Sequence, residues 1–177
     1  MKELKALISY YADDGFFRQN LEQNRLSLDE QKFFLYEWEM NLARATRQPA
    51  IRWEEITGLQ IEHIWPETPP GINSWPEDLK KKHWDLVNKL GNLALVPSSW
   101  NPQVLSNKPM YEKMDEYLKS NLAMLRTSHS NRDFMRVAQL QRDNAEPSRV
   151  LEAVAVFVGN RTFQLVNWAL DRWKVED

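Results

Sequence analysis

Glu62 and His63 stand side by side at the end of Leu59-Gln60-Ile61-Glu62-His63-Ile64, a stretch whose alternation predicts a short β-strand. Neighbouring residues on a strand point to opposite faces unless the backbone bends, so this acid and this imidazole can serve different tasks. One can hold a metal while the other takes a proton from water. That division suits phosphodiester hydrolysis, where a metal stabilises charge on the phosphate and leaving oxygen and a base makes the nucleophile. Asn92 follows His63 by twenty-nine residues, at the start of a second predicted strand, and Asn101 follows by nine more. Each also has a plain structural reading. Asn92 after Gly91 is a turn residue, Asn101 before Pro102 a turn initiator, and Asn107 a cap for the next helix. A lone Glu-His pair is far more often two solvated side chains or a helix-cap contact than a catalytic pair; the context of Pro66 and Asn92 is what lifts this one.

The elements around these residues are mostly helical. Leu4 to Tyr11 and on to Leu21 has a helical pattern, with a break expected at Asp13-Asp14-Gly15. Residues 27 to 48 open on Ser27 with Glu30 three positions later, a capping box, and continue with Phe33, Phe34, Leu35, Trp38 and Leu42 at helical spacing. After the first strand, Pro66, Pro69, Pro70, Gly71 and Pro76 impose a long loop. A helix is predicted over 77–90, with Leu79, Trp84, Leu86, Val87 and Leu90 inside and Gly91 as its C-cap. Asn92 to Val96, closed by Pro97, forms the second strand, and a helix follows from about Lys108 to Leu122. Two further helices are expected between Asn131 and Trp173, separated by Glu146-Pro147-Ser148.

Composition sets the bounds. A chain of 177 residues is the size of one domain and can bury a core without disulfides or a structural metal. Only five glycines argue against a barrel or sandwich built on tight turns, which leaves a helix-rich class. The absence of cysteine excludes a thiolate zinc site and a cysteine nucleophile, and three histidines leave few soft ligands, so a metal here would be held by oxygen. No run of about eighteen apolar residues exists and no signal segment opens the chain, so a cytoplasmic protein without membrane contact is expected. A net charge of −2 counts against nucleic-acid binding, which usually shows as clustered Lys and Arg.

Taken together, Ile61-Glu62-His63-Ile64-Trp65-Pro66, Leu90-Gly91-Asn92-Leu93-Ala94-Leu95, and Asn101 through Leu105-Ser106-Asn107-Lys108 to Lys113 resemble the C-terminal HNH nuclease domain of GmrSD-type restriction enzymes, including relatives linked to phosphorothioate DNA. The likeness extends weakly to residues 33–39 and to Asn160-Arg161 and Trp168-Ala169-Leu170. It implies an α+β domain, mostly α-helical, with a ββα-metal core over 59–119 wrapped by N-terminal helices (1–58) and C-terminal helices (120–177). It implies His63 as general base, Asn92 holding the loop by hydrogen bonds, and Glu62 and Asn101 as ligands of Mg²⁺ or Mn²⁺. Mg²⁺ suits two protein oxygens, because it keeps waters and takes phosphate oxygens for the rest of its octahedron. His63 must be neutral to accept a proton, so activity should fall as pH drops through its pKa.

The implied reaction is cleavage of DNA, phage or modified, in an antiviral restriction system. An N-terminal domain that binds nucleotide and senses modification usually precedes such a nuclease, and no phosphate-cradling glycine loop occurs in this chain, so it is expected to be a piece of a larger protein. Two features depart from wider HNH nucleases: Asn101 where a third histidine commonly stands, and no cysteine knuckles. Lys108 and Lys113 are expected at the DNA backbone, with Arg126, Arg132 and Arg136 extending the track. Lysines 80–82 are expected to form a solvated helix face, His83 to lie on the helix surface, and His129 in a polar loop. Of the eight tryptophans, Trp38, Trp84 and Trp168 fall at core positions, while Trp65 and Trp75 are expected to be exposed. The competing reading is a non-catalytic helical adaptor or DNA-binding module, whose Glu62-His63 segment is only a structural loop.

Overall fold

The computed structural model describes residues 13–100 and 105–173. In chain order it contains α1 (Asp14–Glu22), α2 (Leu28–Thr46), β1 (Leu59–His63), α3 (Glu77–Val87), β2 (Leu93–Pro97), α4 (Met110–Lys119), the single turn α5 (Ala123–Arg126), α6 (Arg132–Arg142) and α7 (Pro147–Arg172). This is the expected α+β, mostly helical class. The two strands form an antiparallel pair with Glu62 opposite Ala94 and His63 opposite Leu93.

Local rules explain most element boundaries. Ser27 caps α2 through a reciprocal capping box with Glu30. Asn131 caps α6 by accepting from the amides of Asp133 and Phe134. Proline starts α7 at its first residue, where a missing N–H costs nothing. Pro109 precedes α4, so the helix begins two residues later than expected. Asp13-Asp14-Gly15 behaves differently from its expected role as a stop. Asp13 accepts from the Phe16 amide and caps α1, so the motif begins a helix. The pattern predicted upstream, from Leu4, lies outside the described residues.

The main core joins both faces of β2 (Leu93, Ala94, Leu95, Val96) to Leu35 and Tyr36 of α2, Met110 and Tyr117 of α4, Phe134 of α6 and Leu151, Val154 and Phe157 of α7. A five-residue strand buried on both sides reads as a continuous apolar run, as seen here. A second cluster packs Leu21, Phe34 and Leu90 against Leu165, Val166 and Ala169 at the far end of α7. α7 thus spans both clusters, and between them it packs on the Leu90–Asn92 turn that leads into β2.

Burial of several aromatic side chains differs from the sequence expectation. Trp65 and Trp75 are 1% and 9% exposed, whereas Trp84 is 52% exposed and Phe33 is 45% exposed. His83 is fully buried. The indole N–H of Trp65 donates to its Nδ1 (2.9 Å), and its Nε2 lies 2.9 Å from the Glu67 carbonyl oxygen. An indole only donates and a carbonyl only accepts, which fixes His83 as the neutral tautomer carrying hydrogen on Nε2. Burial holds its pKa below the ordinary value, against the opposing pull of Glu67. The long loop after β1 is therefore anchored at Trp65 and Glu67 by a helix side chain.

Candidate functional site

Glu62 and His63 occupy the last two positions of β1, and the chain bends immediately after them. As a result both side chains line one cleft of about 190 Å³, together with Pro66, Glu67, Ser106 and Asn107. The bend is held by Asn92. Its backbone carbonyl accepts from the Ile64 amide (2.8 Å). Its side-chain oxygen accepts from the Trp65 amide (2.7 Å), while its NH₂ donates to the carbonyls of Trp65 (2.9 Å) and Val87 (2.8 Å). Asn92 is fully buried, so every polar atom of its side chain is satisfied by main chain and the residue can fit in only one orientation. The opposite wall is tied by the Thr68 amide, which donates to Asn107 Oδ1 (3.2 Å). Asn107 thus bridges two loops instead of capping α4.

His63 has a side chain about one quarter exposed, with Nδ1 4.0 Å from Glu67 Oε2. Its Nε2 lies 3.3 Å from Asn88 Oδ1. Burial lowers its pKa; Glu67 and the Asn88 hydrogen bond oppose this without cancelling it. The imidazole is accordingly neutral at pH 7.

Glu62 is 3% exposed and Lys113 is fully buried. Lys113 Nζ donates to Glu62 Oε1 (2.6 Å) and to the His63 carbonyl (2.7 Å). Burial raises the carboxyl pKa and lowers that of the ammonium, with each partner pulling the other way. Desolvation thus exceeds the mutual attraction, as is usual for buried ion pairs. This corrects the expectation that Lys113 contacts the DNA backbone: its charge is spent beneath the cleft, on the two residues that would do the chemistry. The sequence carried a signal for it. Lys113 falls on the helical row of Met110, Met114 and Tyr117, and a charge on an apolar stripe needs an interior partner.

The remaining expected residues divide. Lys108 is half-buried in the loop before α4, next to Asn107 of the cleft wall. Arg132 and Arg136 are exposed. Asn101 lies outside the described residues. Glu67 and Asn88, which flank His63, were not anticipated; Glu67 sits in a loop without periodicity, and Asn88 ends a helix facing solvent, so neither gave a sequence signal.

Among the described residues, no group of three or more His, Cys, Asp or Glu side chains is gathered to hold a metal. The donors that face the cleft are nonetheless oxygen-rich: the carboxylates of Glu62 and Glu67 beside the hydroxyl of Ser106 and the amide of Asn107. Glu62 gives Lys113 only Oε1, which leaves Oε2 for another cation. Such a set fits a hard divalent ion that keeps most of its waters, and does not fit a closed zinc cage. No helix among the described residues is long and apolar enough to cross a membrane.

Residues 11–145 match the family model described as GmrSD restriction endonucleases, C-terminal domain. No curated protein and no solved structure matches the chain.

Proposed function

The chain belongs to the GmrSD restriction endonuclease C-terminal domain family, and from that premise we propose that it is an HNH-type, metal-dependent DNA endonuclease domain with His63 as its general base. The observation that carries the reading is the convergence of Glu62 and His63 on one cleft at the end of β1, with the following turn pinned by Asn92. The order β1, β2, α4 supplies the strands and helix that a ββα-metal unit requires.

In the tautomer that donates Nε2–H to Asn88 Oδ1, His63 keeps a lone pair on Nδ1 to take a proton from water. Glu67, 4.0 Å from that nitrogen, stabilises the imidazolium that results. Glu62 and Asn101 would hold Mg²⁺ or Mn²⁺. When bound, that ion polarises the phosphate and neutralises charge on the leaving oxygen. Lys113 favours the ionised form of Glu62 against the effect of burial and fixes the carbonyl of His63, so the base and the ligand are set against each other before substrate arrives. Lys108 at the cleft edge, with Arg132 and Arg136, would meet the DNA backbone. An N-terminal sensor or NTPase domain would choose the modified or phage DNA, and the site of action would be the cytoplasm.

One observation favours a non-catalytic reading: the Glu62–Lys113 pair gives Glu62 a structural task of its own. Plasmid cleavage decides between them. Metal-dependent conversion of supercoiled DNA to open-circle or linear forms, abolished by EDTA, supports the nuclease. No cleavage with either ion, together with no Mn²⁺ binding that depends on Glu62, supports the adaptor.

A further inference from the structure

α7 lies beyond the residues matched by the family model, yet it grips the turn that carries Asn92 at three points. Arg161 Nη1 donates to the carbonyls of Gly91 (2.8 Å) and Leu93 (2.6 Å), the residues on either side of Asn92. The Gly91 amide donates to Thr162 Oγ1 (3.1 Å), whose own hydrogen goes to the Val158 carbonyl. Gly91 presses so closely on the helix that a Cβ there would overlap the Val158 carbonyl oxygen and the Thr162 hydroxyl. The residues on both sides of Asn92 are thus held by one helix, and Asn92 between them is the residue that fixes Ile64 and Trp65.

The choice of arginine is unusual for packing alone. Arg161 is 9% exposed, its Nη1 is held by carbonyls, and its Nη2 has no hydrogen-bond partner among the described residues. Burial lowers its pKa to about 10, opposed by Tyr117. A buried cation with an unpartnered donor is costly, and an apolar side chain of the same length would fill the space more cheaply. What an apolar side chain cannot do is hold two carbonyls that diverge around a third residue, which a planar fork of donors does well.

We propose that Arg161 is a positioning residue of the nuclease: it clamps the Gly91–Leu93 turn so that Asn92 holds the His63–Trp65 bend in its working geometry, with Thr162 as its partner on the same helix. The proposal rests on the nuclease reading for its effect on rate, and on the hydrogen-bond network alone for its effect on the turn.

The test uses Arg161→Met, Arg161→Lys and Thr162→Val in the full chain, read by cleavage kinetics and by residue-resolved amide exchange. Losing an orienting residue of this kind typically costs about 10- to 100-fold in activity. Arg161→Met should lower kcat by that factor with KM within about threefold, and Arg161→Lys should recover part of the loss. In Arg161→Met the amides of Ile64 and Trp65, which donate to Asn92, should exchange at least tenfold faster, while those of Phe34 and Leu165 in the second core stay as in the wild type. Four results would overturn the proposal: cleavage within twofold of wild type, unchanged Ile64 and Trp65 exchange, uniformly faster exchange throughout, or failure of all three variants to fold. If the wild type itself cuts no DNA, Glu62-dependent Mn²⁺ binding judges the nuclease reading separately, and the exchange pattern still decides the role of Arg161.

Discussion

Replacing Lys113 by methionine keeps most of the side-chain volume and removes the charge, so it isolates what the buried ammonium does. In the wild type Nζ sits 2.6 Å from Glu62 Oε1 and 2.7 Å from the His63 carbonyl, with the Lys113 and Glu62 side chains only 1% and 3% exposed. The substitution leaves one buried carboxylate unpaired and one carbonyl without its donor. Breaking a buried pair from one side costs about 3–5 kcal/mol, most of it the penalty of the abandoned charge. Removing Glu62 as well, in Glu62→Leu with Lys113→Met, takes away that charge. The double variant should then be more stable than the sum of the single losses predicts, by about 1–3 kcal/mol. Urea denaturation followed by tryptophan fluorescence measures this. With a slope of about 2 kcal/mol/M, Lys113→Met should lower the midpoint by about 1.5–2.5 M. A loss within about 0.5 kcal/mol, the range of ordinary surface substitutions, would refute the buried pin and restore Lys113 as an exposed residue free to meet DNA.

Other outcomes follow from the same physical account. Glu39 is fully buried, with its two oxygens accepting from the amides of Ala123 and Met124 at 2.6 and 2.8 Å; Glu39→Gln turns one acceptor into a donor facing an N–H and should cost about 1–3 kcal/mol by thermal melting. Trp84→Lys should leave stability within about 0.5 kcal/mol, whereas Trp65→Ala should cost about 3–5 kcal/mol, the reverse of the ranking expected from sequence. His83 is held neutral in the fold with its pKa below the unfolded value near 6.5, so the unfolded chain binds the extra proton first. The stability this contributes is complete above that value and is lost as pH falls below it. Wild type should therefore lose stability from about pH 6.5 downward by more than His83→Gln does, and parallel profiles would show that His83 is not buried as described.

The elements and the fold class were legible because their signals are local. The Ser27–Glu30 capping box, the proline at the start of α7 and the alternation from Leu59 to His63 each declare themselves within a few residues. Helix faces are less plain in the sequence. On α3 the row Leu79, His83, Leu86 and Val87 sets the inner face, and Trp84, one residue off that row, turns outward despite its hydrophobicity. Periodicity therefore outweighs residue type when the two disagree. The loop tryptophans went inward because Trp65 has a partner for its N–H in His83, a contact across eighteen residues that no local pattern announces. Glu62, His63 and Asn92 could be found from type and spacing. What surrounds them was less legible: the apolar stripe of α4 marks Lys113 as needing an interior partner without naming it, and Arg161 and Asn88 reach the site only through tertiary packing.

The central claim is that His63 abstracts the proton in DNA hydrolysis. Its most direct test compares single-turnover cleavage of plasmid DNA by wild type and by His63→Ala, at saturating Mg²⁺ and with melting temperatures matched to exclude unfolding. General-base catalysis contributes roughly 10²- to 10⁴-fold, so the variant should cut at least a hundred times more slowly at equal DNA affinity. Cleavage by His63→Ala at a rate within threefold of wild type would contradict the account and move the base elsewhere.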